Sequence, residues 1–293
     1  MSKIKTKVSK EANFIYHMLS VAHCGYDNDY GKAFAHFHPA EDLQILKKHE
    51  LHITVKGGEH CGQLYWPLIA IPASLDYPAN DYYTNLLQII ESNNANAAGL
   101  PNIDNLDIEG LLERIQPHAA EALEICKVME QNYNTYVEKV WKITKTELET
   151  YAQGFAKISQ DSKITDKLEN IVGEELDGDF YASFVNSIAD GPEAIDISKN
   201  QDIFGIGRSC DDALRFVSHE FVIYLLKQAL AEVYALADPA NWLYTESLAA
   251  FYLELAGIDF CFLDNRDVIN QYRAEYERSK LSAVELYKAV RNK

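Results

Sequence analysis

Apolar residues recur along most of this chain at intervals of three and four, and the stretches where they do so predict helices. From Ala119 to Phe155 the stripe runs through Leu123, Cys126, Met129, Tyr133, Val137, Val140, Trp141 and Leu148, which predicts one long helix or two joined by a kink. A second stripe from Asp211 to Ala237 uses Leu214, Val217, Phe221, Leu225, Ala229 and Val233, and further helices are predicted over Asn241 to Ala256 and Asp264 to Asn292. Residues 11 to 52 read as two helices with a turn between them. The later one is predicted from Pro39 to His49, with proline at the first helical position, Glu41 and Asp42 in the opening turn, and Lys47 and Lys48 at the end. That charge order suits the helix dipole. Residues 53 to 76 are punctuated by Gly57, Gly58, Gly62, Pro67 and Pro72 and read as irregular. From about Asp81, short helices alternate with loops.

The texture changes in the middle of the chain. Phe180 to Val185, Ala194 to Ile197 and Asp202 to Gly207 are short, β-prone and bounded by Gly, Pro, Asp and Asn, so they read as strands. The fold class is therefore mainly α with a small β patch. A soft boundary between 155 and 175, where polar and acidic residues collect, divides the chain into a helical region over 1–160 and a second region over 161–293.

Charge narrows the choice of partner. The 293 residues carry a formal charge of -17, which opposes general binding to nucleic acid or to an anionic membrane. Lys3, Lys5, Lys7 and Lys10 ahead of Phe14 to Ala22 superficially suggest a secretory signal, but His17 and His23 interrupt a short apolar run and no small-residue cleavage site follows. No run approaches the ~18 apolar residues of a membrane span. The expectation is a cytoplasmic protein. Five scattered cysteines, Cys24, Cys61, Cys126, Cys210 and Cys261, include no CxxC pair and suit reduced thiols.

The candidate chemistry lies after the strands. His219-Glu220 sits on one predicted helix, and the next contains Trp242-Leu243-Tyr244-Thr245-Glu246-Ser247-Leu248-Ala249-Ala250-Phe251-Tyr252. This order resembles the gluzincin-type zinc metallopeptidases, whose HExxH helix supplies two histidines and a water-polarising glutamate and whose following helix supplies a third ligand in a WLxEGxAxYxE setting. The resemblance makes His219 and Glu246 the metal ligands and Glu220 the catalytic base; Trp242, Leu243, Ala249, Tyr252 and Glu254 fit the flanking pattern with one extra residue. It covers about the last third of the chain. More loosely, the whole length resembles bacterial zincin-like proteins of unknown function, with Phe34-Ala35-His36-Phe37-His38-Pro39-Ala40 ahead of the metallopeptidase-like half.

One residue departs from the pattern. Ile223 stands where the second histidine belongs, leaving two of the three protein ligands of a catalytic zinc. The resemblance thus implies weak or absent zinc and no ordinary peptidase activity. Three uses stay open: a metal-free cleft holding a peptide or protein ligand, a metal-dependent peptide hydrolase with a ligand supplied from elsewhere, and a helical binding module with no ancestral site. Seven of the nine histidines lie in the first sixty residues, where His49 and His52 share a helical spacing and His36 and His38 a strand or loop spacing. These could serve a metal, although satisfied core histidines are the commoner outcome. A thiol nucleophile at Cys210 paired with His219 lacks an independent sign, and Cys210 is expected to be a small buried residue.

Overall fold

The computed structural model describes residues 3–56, 60–92, 108–188, 194–198, 200–231, 239–260 and 265–292. In chain order these form β1 (Ile4–Lys7), α1 (Lys10–Val21), α2 (Asp29–Phe34), α3 (Ala40–Lys48), α4 (Glu50–Ile53), β2 (Val55–Lys56), β3 (His60–Cys61), a π-helical turn (Trp66–Ala70) running into α5 (Ile71–Ser74), α6 (Ala79–Ser92) and α7 (Ile108–Ile115). There follow α8 (Ala119–Tyr136), a π-helical turn (Val137–Trp141), α9 (Lys142–Ser162), α10 (Ile164–Val172), β4 (Phe180–Val185), β5 (Ala194–Ser198), β6 (Gln201–Gly205), α11 (Cys210–Ala229), α12 (Pro239–Leu255), α13 (Arg266–Ser279) and α14 (Ala283–Arg291). The chain is mainly α with a small β patch.

It divides into two compact units. One comprises 1–6, 153–182 and 208–293; the other comprises 7–152 and 183–207. Within the first, β1 lies beside the opening half of β4, where the Phe180 amide donates to the Lys3 carbonyl at 2.9 Å. Within the second, the closing half of β4 meets β6, and β6 pairs antiparallel with β5, so the four-stranded order is β1-β4-β6-β5.

In the unit of 7–152 and 183–207, α1 is buried on nearly every face from Ala12 to Val21. Its start is set by Ser9, whose hydroxyl accepts from the Ala12 amide at 3.2 Å. Residues of the π-helical turn, α5, α6 and α8 close around it. Tyr82 and Tyr83 pack apolar rings while their hydroxyls donate to the carbonyls of Pro67 and Leu68 at 2.7 and 2.6 Å.

In the other unit, Ser209 caps α11 by accepting from the Asp212 amide at 3.2 Å, with Asp211 and Asp212 in the first turn and Lys227 in the last. The chain then returns through α12, whose residues Leu248 to Leu253 are buried. Rings of Phe180, Phe221 and Tyr224 form one cluster, with Phe251, Tyr272 and Tyr276 forming another.

Several sequence expectations change. Residues 11 to 52 hold α1 to α4 rather than two helices, because Asn28 and Pro39 each start a new one. Trp66 to Ser74 is helical, not irregular; Pro67 sits in the opening turn, where a missing amide hydrogen costs no bond, and Pro72 follows where the π-helical turn passes into α5. In place of one helix to Asn292 there are two, Arg266–Ser279 and Ala283–Arg291. Lys280 adopts a left-handed conformation at φ 49°, ending α13, and Ser282 with Glu285 forms a capping box that starts α14. The long stripe beginning at Ala119 does continue from α8 into α9, through the π-helical turn. Val233, Cys261, Asp264 and the pair Gly57-Gly58 lie outside the described residues, as does the His60 side chain.

Candidate functional site

The helices α11 and α12 bring the predicted pair together. His219 Nε2 donates to Glu246 Oε2 at 2.9 Å across 27 residues of sequence, with His219 1% exposed and Glu246 mostly buried. Phe260 covers the imidazole, its ring centroid 5.2 Å away. Burial disfavours a charged imidazole here, but the hydrogen bond to Glu246 and the charges of Glu220 and Glu246 outweigh it and raise the His219 pKa above its ordinary value. Glu220 is half-buried beside it in sequence.

Ile223, one turn along α11 from His219, is 5% exposed and belongs to the packed core. Of the flanking motif residues, Ala249 and Tyr252 are buried, Trp242 is exposed, and the Glu254 carboxylate pairs with Arg266 and Arg273. Among the described residues, no third His, Cys, Asp or Glu group converges with His219 and Glu246. Cys210 is half-buried rather than buried, and burial with the Asp211 charge raises its thiol pKa, which disfavours the reactive thiolate.

The N-terminal histidines do two different things. His17 and His38 belong to a buried chain of polar groups. Tyr30 Oη lies 2.9 Å from His17 Nδ1, His17 Nε2 lies 2.8 Å from His38 Nε2, and His38 Nδ1 lies 2.8 Å from Asn132 Oδ1. Asn132 Nδ2 donates to Asp42 Oδ2 and to the Val128 carbonyl, both at 2.8 Å.

The direction of this chain follows from its end. Asn132 Nδ2 faces two oxygens, so Oδ1 faces His38 and His38 Nδ1 must carry hydrogen. With both rings neutral, His38 Nε2 accepts from His17 Nε2–H, and His17 Nδ1 accepts from the Tyr30 hydroxyl. Neutrality has a cause: burial, with the neighbouring ring, takes the His17 pKa well below its ordinary value, and burial lowers that of His38 despite Asn132 and Asp42.

His49 and His52 diverge. His49 is buried and donates to Glu124 Oε2 at 2.7 Å, an oxygen that Lys48 Nζ also reaches at 2.8 Å. His52 instead approaches His118 and Glu121, and the three ligand atoms all lie within 4.8 Å of one another. The spacing of His49 and His52 was visible in sequence; the meeting with His118 and Glu121, more than sixty residues on, was not.

No family model, curated protein or solved structure matches this chain. Among the described residues, no helix is long and apolar enough to cross a membrane.

Proposed function

We propose that this is a zincin-like, metallopeptidase-related protein whose ancestral metal position is closed, so that it lacks ordinary peptidase activity and serves to hold a peptide or protein ligand. The carrying observation is the 2.9 Å contact between His219 and Glu246 on consecutive helices that follow the strand patch. In a working gluzincin these two groups converge on the metal; here the imidazole donates to the carboxylate directly, and Ile223 packs where the second imidazole would stand. Hydrolysis through His219 needs a third donor, and the described residues supply none there. The acidic charge and scattered thiols fit a cytoplasmic protein that does not bind nucleic acid.

The test restores the missing ligand. Ile223→His places an imidazole one turn from His219, at a cost of about 1–3 kcal/mol for burying a polar ring without metal. In a His118→Ala background, which removes the other histidine cluster, zinc should raise the melting temperature of the Ile223→His protein and leave its Ile223 counterpart unchanged. Zinc at a hundred times its dissociation constant corresponds to about 2.7 kcal/mol of stabilisation. If neither protein responds, the zincin reading fails.

A further inference from the structure

We propose that His52, His118 and Glu121 form a binding site for a divalent transition-metal ion of the zinc type, separate from the His219–Glu246 pair. Two imidazoles and one carboxylate are the donor set that suits zinc and its neighbours, whereas calcium and magnesium take oxygen-rich cages. The rings of His52 and His118 stand 4.9 Å apart between centroids, and one ligand atom from each of the three residues falls within 4.8 Å of the others. Metal–nitrogen bonds of about 2.0–2.1 Å at tetrahedral angles put neighbouring donors about 3.3 Å apart, so side-chain rotations that bring the atoms together by up to about 1.5 Å close the set.

The backbone already holds the three groups in place. His118 stands at the N-terminal boundary of α8 and Glu121 in its first turn, so the two lie three residues apart at the start of one helix. His52 is clamped in α4: its amide donates to the His49 carbonyl and its carbonyl accepts from the Leu64 amide, each at 2.9 Å. Gly62 presses on that same carbonyl so closely that a Cβ there would sit 2.3 Å from it.

Among the described residues, no side-chain hydrogen bond or ion pair holds His52, His118 or Glu121, whereas His49 and Glu124 next to them are bonded to each other. Polar groups that converge without satisfying one another are what a ligand joins. Glu124 is occupied by His49 and Lys48, so the protein supplies three donors, and the half-exposed position of all three leaves the fourth place to water.

The experiment uses the full, untagged chain after chelator treatment, titrated with Co²⁺ by visible absorbance and with Zn²⁺ by calorimetry. The expected result is one equivalent bound, with the intense visible bands of four-coordinate cobalt. His118→Ala and Glu121→Gln should each weaken binding by at least about tenfold, while His219→Ala leaves it unchanged. Glu121→Gln is a near-isosteric change on a half-buried helical turn and carries the test if His118→Ala does not fold. Absence of binding, or binding that survives Glu121→Gln and His118→Ala, overturns the proposal. Loss of binding on His219→Ala alone also overturns it and moves the metal to the other histidine.

Discussion

Replacing Asn132 by leucine tests the directed chain from Tyr30 to Asp42. The two side chains have nearly the same size, so no large cavity opens and the effect reports on hydrogen bonds. Asn132 is 2% exposed, and its Oδ1 is the acceptor for His38 Nδ1–H at 2.8 Å. Leucine leaves that buried donor unsatisfied, a cost of about 1–3 kcal/mol. Asp42 loses a charge-assisted bond as well, but it is half-buried and water can replace part of that contact, adding about 1 kcal/mol. The Val128 carbonyl keeps its place in the helix. The expected total is about 2–4 kcal/mol.

His38 cannot escape by moving its proton to Nε2, because His17 Nε2–H already points there at 2.8 Å. Both rings and Tyr30 would have to reverse together. Urea unfolding is followed by the fluorescence of Trp66 and Trp141 in a Trp242→Phe background, so that the signal comes from the unit containing the network. Side-chain nitrogen NMR reads the tautomers. A loss below about 0.5 kcal/mol, or a parent protein with hydrogen on His38 Nε2, refutes the derivation.

The two units should respond to pH with opposite sign. His17 and His38 have lowered pKa values, so their contribution is complete above the ordinary imidazole value of about 6.5 and is lost as the pH falls; His219 has a raised one, so its contribution is complete below about 6.5 and is lost as the pH rises through the raised value. Hydrogen exchange at pH 5.5 and pH 8.5 should show the unit of 7–152 and 183–207 opening at the acidic end, and Glu246→Gln should remove the alkaline sensitivity of the other; the same trend in both units would contradict the assignment. Gly62→Ala should destabilise by about 1–3 kcal/mol, because its new Cβ meets the His52 carbonyl, and should weaken cobalt binding by displacing His52. Unchanged melting and cobalt affinity would show that the clamp has no consequence.

Local patterns determined much of what is seen. The charge order around Pro39 to His49 placed α3 almost to the residue, the short β-prone run at Phe180 to Val185 marked β4, and the apolar stripe from Ala119 gave the long helical run. The capping box at Ser282-Ala283-Val284-Glu285 went unread, and one helical period was carried across it. The order of His219-Glu220 and Glu246 on successive helices was readable too, because each lies within a strong helical period. Their contact depends on how α11 and α12 pack. Tertiary structure alone decided which histidines meet. His49 and His52 look equivalent in sequence, yet one turns inward to Glu124 and the other toward His118, because helical periodicity fixes a face and says nothing of the surface brought against it. The same holds for the division of the chain: residues 183–207 join the unit built mainly from 7–152, since strand pairing is set by contacts far apart along the chain.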